Sequence, residues 1–124
     1  MNLNELTKEI HANAVAHGWW DEPQPFPVIA ALIHSEISEA LEEWRYGRPL
    51  LWYEKKSEAT LYADENPCIK AELHKPQGLA VELADAIIRV LDYCGYAGID
   101  IEKAIRLKHE YNKGRPYRHG GKRA

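Results

Sequence analysis

An all-α, four-helix bundle-like subunit is the fold this sequence predicts. Four segments of helical length carry apolar residues at spacings of three and four, Gly and Pro stand in the gaps, and the third segment is apolar nearly all round. The length fits a single core: 124 residues make one ordinary domain.

The elements follow in order. Asn4 is expected to cap a first helix running to about His17, with Leu6, Ile10 and Ala14, and Leu3 before them, on one face. Gly18 ends it, and residues 19–27, with three prolines, form a connector. A second helix runs from near Pro27 to about Arg45 and is stopped by Gly47 and Pro49. Residues 46–77 form a long loop between helices 2 and 3. Within it Leu50–Tyr53 and Ala59–Tyr62 suit a short hairpin, although the intervening EKKSE lacks a tight-turn signal. A third helix spans roughly Gln77–Tyr96 and ends at Gly95 and Gly98. Asp100 caps a fourth, to about Lys113, with Ile101, Ala104, Ile105 and Lys108 on one side. Residues 113–124 make an irregular basic tail containing Lys113, Arg115, Arg118, Lys122 and Arg123.

Composition excludes several classes. Hydrophobic residues at 45% and charged residues at 28% exclude wholesale disorder. A net charge of -3 offers no global basic surface, so no nucleic acid partner is expected. No apolar run approaches the ~20 residues that span a bilayer, so no membrane partner is expected either. The amino-terminal MNLNELTKEI lacks a secretory core, and Cys68 and Cys94 make no disulfide framework. Both point to a reducing cytoplasm.

The carboxylates carry the chemistry. On a wheel advancing ~100° per residue, Ala30, Ile33, Ile37, Ala40, Leu41 and Trp44 gather on one flank of the second helix. Trp44 is accordingly expected in the core. Glu36, Glu39 and Glu43 form a separate stripe, which taken alone reads as a solvated face. The third helix changes that weighting. Its sequence VELADAIIRVLDYCGYAG belongs to a largely buried helix, yet Glu82, Asp85, Arg89 and Asp92 interrupt it in one narrow stripe. Carboxylates are rarely buried unless paired or bound to metal. An Asp85–Arg89 pair at i,i+4 is the structural alternative, but it leaves Glu82 unexplained. Glu-x-x-Glu facing Glu-x-x-Asp converges four carboxylates, and oxygen-only ligation suits Mg²⁺, with Mn²⁺ as a possible substitute. A di-iron bundle wants Glu-x-x-His, and His34 lies off the stripe.

The ordered motifs Glu36-x-x-Glu39, Glu82-x-x-Asp85 and Lys108-x-x-x-Asn112-x-x-Arg115, in the wording HSEISEALEEWR, VELADAIIRVLDY and KHEYNKGRP, resemble the MazG-like all-α nucleoside triphosphate pyrophosphohydrolases. The resemblance covers most of residues 1–49 and 77–120 and leaves the middle loop unmatched. One departure is Ser35, where many relatives carry a second Glu.

The resemblance implies a subunit of the all-α NTP pyrophosphatase type and a Mg²⁺-dependent hydrolase that converts a (deoxy)nucleoside triphosphate to monophosphate and pyrophosphate, with nucleotide housecleaning as its expected role. It implies Glu36, Glu39, Glu82 and Asp85 as metal ligands, with Glu39 preferred as the catalytic base. Lys108, Asn112 and Arg115 are implied as phosphate ligands; their alternative role is to complement the dipole at a helix C-terminus. Trp20, Tyr46 and His11 are the base-binding candidates. A homodimer or homotetramer is expected, since so apolar a third helix calls for a partner to cover it. The rivals are a non-enzymatic helical interaction protein, a di-metal carboxylate oxidase, and a sister activity on a nucleotide such as phosphoribosyl-ATP.

Overall fold

The structure is a computed structural model that describes residues 2–55, 61–63 and 74–116. Its helices are α1 (Leu3–Ala16), α2 (Phe26–Tyr46), α3 (Leu79–Ala97) and α4 (Ile101–Lys113), and the fold is all-α in class. Between α2 and α3 lie three short strands, β1 (Trp52–Lys55), β2 (Leu61–Ala63) and β3 (His74–Gln77). None of the described helices is long and apolar enough to cross a membrane. The chain divides into two compact units, Met1–Asp21 with Leu91–Ala124, and Glu22–Val90.

In the first unit two helix starts satisfy one another. Helices begin with backbone N–H groups that lack intrahelical partners, and polar side chains supply them. Asn2, not Asn4, caps α1: its side chain accepts from the Glu5 amide at 2.8 Å in a capping box. Asn4 is already inside the helix and serves α4 instead. Its amide donates to the Asp100 carboxylate at 2.9 Å, and its oxygen accepts from the Glu102 amide at 3.4 Å. Asp100 caps α4 through the Lys103 amide at 3.0 Å, as its position predicts. Glu102 closes the arrangement by accepting from the Leu3 amide at 3.1 Å. Leu91 and Cys94 of α3 belong to this unit and are buried. A Cβ on Gly95 would lie 2.6 Å from the Cβ of His11, so α1 meets α3 where only glycine leaves room.

In the second unit α2 starts at Phe26 with Pro27 in its first turn, where a missing N–H costs nothing. It ends at Gly47 in the left-handed conformation. The strands form one antiparallel sheet in the order β2-β1-β3, with Tyr53 opposite both Tyr62 and Pro76. β1 and β2 pair antiparallel as the expected hairpin requires, each starting two residues later than expected, with residues 56–60 between them outside the described residues; the expected long loop also carries a third strand. β3 escaped notice because HKPQ is polar and contains Pro, tolerated here at the edge of the sheet. Gly78 joins β3 to α3 at φ 116°, and a Cβ there would lie 2.4 Å from the Leu50 carbonyl oxygen. That oxygen accepts from the Ala80 amide at 3.0 Å, pinning the start of α3 to the chain entering β1.

Two burial expectations are corrected. Trp44 is 69% exposed, and Ile37 and Leu41 on the same stripe are exposed with it. The buried edge of α2 carries Ile29, Glu36, Ala40 and Glu43 instead, leaving the richest apolar stripe uncovered by the described chain. Likewise Leu83, Ile87 and Ile88 of α3 are exposed, although its sequence reads as a largely buried helix.

Candidate metal centre

The centre is built from α2 and the first turns of α3, both in the second unit. Glu36 sits on the buried edge of α2 beside Ala40 and is 7% exposed. Residues three apart on a helix share a face, so Glu82 and Asp85 project together from α3. One carboxylate oxygen from each of Glu36, Glu82 and Asp85 lies within 4.8 Å of the others. Oxygen donors this near to one another suit a hard cation such as Mg²⁺.

The two oxygens of Glu36 differ. Oε1 accepts from Nε of Arg89 at 2.9 Å. Oε2 is sealed from solvent and has no hydrogen-bond donor. A buried carboxylate oxygen left in that state costs about 1–3 kcal/mol, which a cation would offset. Arg89 thus makes an ion pair across to α2.

Electrostatics in the cluster follow from like charges held together. Glu82 is pushed up to about 7, first by burial, then by its hydrogen bond to Glu39 and the charges of Glu39, Asp85 and Glu36. Asp85 is raised by burial and by Glu36, against the opposing pull of Arg89 and Lys75. The same crowding of negative charge that raises these two carboxyls attracts a dication.

The predicted site residues divide as follows. Glu36, Glu82 and Asp85 come together. Glu39 is exposed; it is hydrogen-bonded to Glu82 but is not one of the three converging groups. Glu43, on the same stripe of α2, takes a structural part. It is buried and accepts from Trp52 Nε1 at 2.8 Å and from Arg48 at 2.5 Å, tying β1 to α2. Tyr46 is exposed at the end of α2, with the Arg48 guanidinium 4.6 Å from its ring centroid.

The remaining candidates lie in the first unit. Trp20 donates its indole N–H to both oxygens of Asp92, at 3.0 and 3.1 Å. His11 Nδ1 meets the same carboxylate at 2.8 Å. The Trp20 ring stacks on Tyr96 with centroids 4.2 Å apart and planes 8° apart, so one of its faces is already taken. On α4, the Lys108 ammonium lies 4.8 Å and the Arg115 guanidinium 5.9 Å from the Tyr111 ring centroid, and Asn112 is exposed beside them. Arg118, Lys122 and Arg123 of the basic tail, and Cys68, lie outside the described residues; Cys94 is a free, buried thiol.

Sequence reasoning missed the roles of Asp92, Tyr96, Lys75, Arg48 and Trp52. Asp92 was within reach, since it continues the Glu82–Asp85–Arg89 stripe by one further turn. Tyr96, Lys75 and Trp52 depend on the sheet or on contacts distant in sequence, and Arg48 acts just past the end of α2, where the helical period stops. No protein-family model, curated protein or solved structure matches this chain.

Proposed function

We propose that the chain is a MazG-like, Mg²⁺-dependent nucleoside triphosphate pyrophosphohydrolase that releases pyrophosphate and a nucleoside monophosphate. The observation that carries this reading is the convergence of Glu36, Glu82 and Asp85 on one point, with Glu36 Oε2 buried and lacking a donor. A surface salt-bridge cluster would have satisfied that oxygen. The donor set is all oxygen, which fits Mg²⁺ or Mn²⁺ and not zinc or copper. The absence of histidine from the three converging groups also disfavours the di-iron alternative.

In this reading Glu36, Glu82 and Asp85 hold the ion, with Glu39 at their margin. A bound Mg²⁺ neutralises triphosphate charge that the acidic cluster alone would repel. Glu39, exposed and hydrogen-bonded to Glu82, orients the attacking water and takes its proton. The water oxygen bonds to phosphorus as the α–β phosphoanhydride bond breaks, and pyrophosphate leaves with the electron pair. The phosphate role of Lys108, Asn112 and Arg115, and the base-binding role of Trp20 and His11, rest on the family resemblance, and that of Tyr46 on its position at the end of α2. Asp92 joins that proposal because it holds both Trp20 and His11.

A second copy of the chain is the proposed partner, as a homodimer or homotetramer in the cytoplasm. Ile37, Leu41 and Trp44, spaced one turn apart, are 49%, 54% and 69% exposed, an apolar stripe of the kind that marks an interface.

The test is pyrophosphate release from a panel of NTPs and dNTPs, with Mg²⁺ and with EDTA, by wild type and Glu82→Gln. Release that needs Mg²⁺ and is lost in the variant supports the reading. No release from any triphosphate by folded wild type contradicts it and favours a non-enzymatic interaction protein or a sister substrate such as phosphoribosyl-ATP.

A further inference from the structure

The stripe on α3 contains one cation, Arg89, and simple electrostatics makes it an odd neighbour for a metal centre. A positive charge beside a dication weakens its binding, so Arg89 would be expected to oppose the site. The contact it makes suggests another role. Only Oε1 of Glu36 is engaged, through the Nε–H at 2.9 Å. Oε2, on the other side of the same planar group, is the buried oxygen without a donor. An arginine Nε–H is a directional donor on a rigid, planar group, unlike the freely rotating ammonium of lysine.

We propose that Arg89 is a positioning residue that clamps Glu36 by one oxygen so that the other is presented to the metal. This inference rests on the metal-dependent function proposed above and deepens it. Without the clamp, Glu36 rotates about its terminal torsion, which is broad for a carboxylate. It then offers no single oxygen to Glu82 and Asp85. Groups that orient a metal ligand typically contribute 10–100-fold to affinity. Arg89 remains tolerable as a charge because it pairs with Glu36 and interacts favourably with the Asp85 carboxylate.

Positioning and charge predict opposite signs, which makes the test decisive. Mg²⁺ affinity is measured by calorimetry on the nucleotide-free full chain for wild type, Arg89→Met and Arg89→Lys, with circular dichroism to confirm folding. The expected result is that Arg89→Met binds Mg²⁺ about tenfold or more weakly. Arg89→Lys, which keeps the charge but not the directional donor, should fall between. Trp52→Phe serves as control: it removes a donor to Glu43, away from the centre, and should leave Mg²⁺ affinity unchanged. Equal or tighter binding by folded Arg89→Met overturns the clamp while leaving the proposed function standing. If Arg89→Met does not fold, Arg89→Lys decides, and unchanged affinity there overturns the clamp. A wild type that binds no Mg²⁺ removes both the clamp and the function it rests on.

Discussion

Glu36 of α2 and Arg89 of α3 meet through one oxygen only: Oε1 takes the arginine Nε–H at 2.9 Å, and Oε2 faces neither donor nor water. The asymmetry ties stability to function. In the metal-free chain the centre is a local liability, because a buried acceptor is unpaired and carboxylates crowd one another.

Glu36→Gln should therefore separate the two states. Neutralising the side chain is expected to leave metal-free stability unchanged or raised, while abolishing stabilisation by Mg²⁺. For wild type, Mg²⁺ at about 100 times its Kd should add about 2.7 kcal/mol. Thermal unfolding of both proteins, with and without Mg²⁺, checks this. An equal Mg²⁺-induced rise in Tm for the variant would count against Glu36 as a ligand.

The raised Glu82 carboxyl makes the centre sensitive to pH. Its folded-state value of about 7 lies above the ordinary 4.5, so the folded chain binds this proton more tightly than the unfolded chain. The stabilisation it contributes is full below about pH 4.5 and is lost as pH rises towards 7 and past it. Mg²⁺ competes with the proton, so Mg²⁺ affinity should climb over the same interval. Calorimetry at pH 5.5, 7 and 8.5 in buffers of differing ionisation enthalpy should detect proton release on binding at the lower values. A flat affinity profile would contradict this assignment.

The Glu43–Trp52 contact predicts a purely structural effect. Trp52→Phe keeps the ring system's burial in part but leaves Glu43 Oε1 without its donor in a buried setting, at a cost of about 1–3 kcal/mol. Urea unfolding should report the loss, and kcat should hold at temperatures where the variant is folded. A large fall in kcat at full folding would instead connect this joint to the reaction.

Assembly gives the last prediction. With Leu41 half exposed between Ile37 and Trp44, Leu41→Glu should convert a sedimenting dimer or tetramer into monomer. Wild type that sediments as a monomer at micromolar concentration would remove the proposed partner.

How much of this was legible beforehand depends on the period of each signal. The helices were, because Gly47, Gly98 and Asp100 punctuate strong 3.6-residue patterns. The convergence of Glu36 with Glu82 and Asp85 was expected from helical spacing, but together with Glu39, which is not one of the three converging groups. The capping of α1 was shifted by two residues, because Asn2 and Asn4 are equally good caps and only the contact with α4 assigns Asn4 elsewhere. Trp44 was misplaced because a helical wheel identifies an apolar stripe without saying whether its own chain covers it. The sheet was only half visible: β1 is aromatic, but β3 is held by pairing to β1 and by Gly78 against Leu50, which no local pattern announces. The one-oxygen hold of Arg89 on Glu36 spans 53 positions and depends on how two helices face each other.

The proposed reaction is defined by which phosphoanhydride bond is cut. Phosphorus NMR of a nucleoside triphosphate incubated with wild type and Mg²⁺ resolves the products directly. Nucleoside monophosphate and pyrophosphate are expected in equal amounts, with no diphosphate intermediate. Appearance of nucleoside diphosphate with inorganic phosphate, or of no product while the protein remains folded, would contradict the proposed reaction.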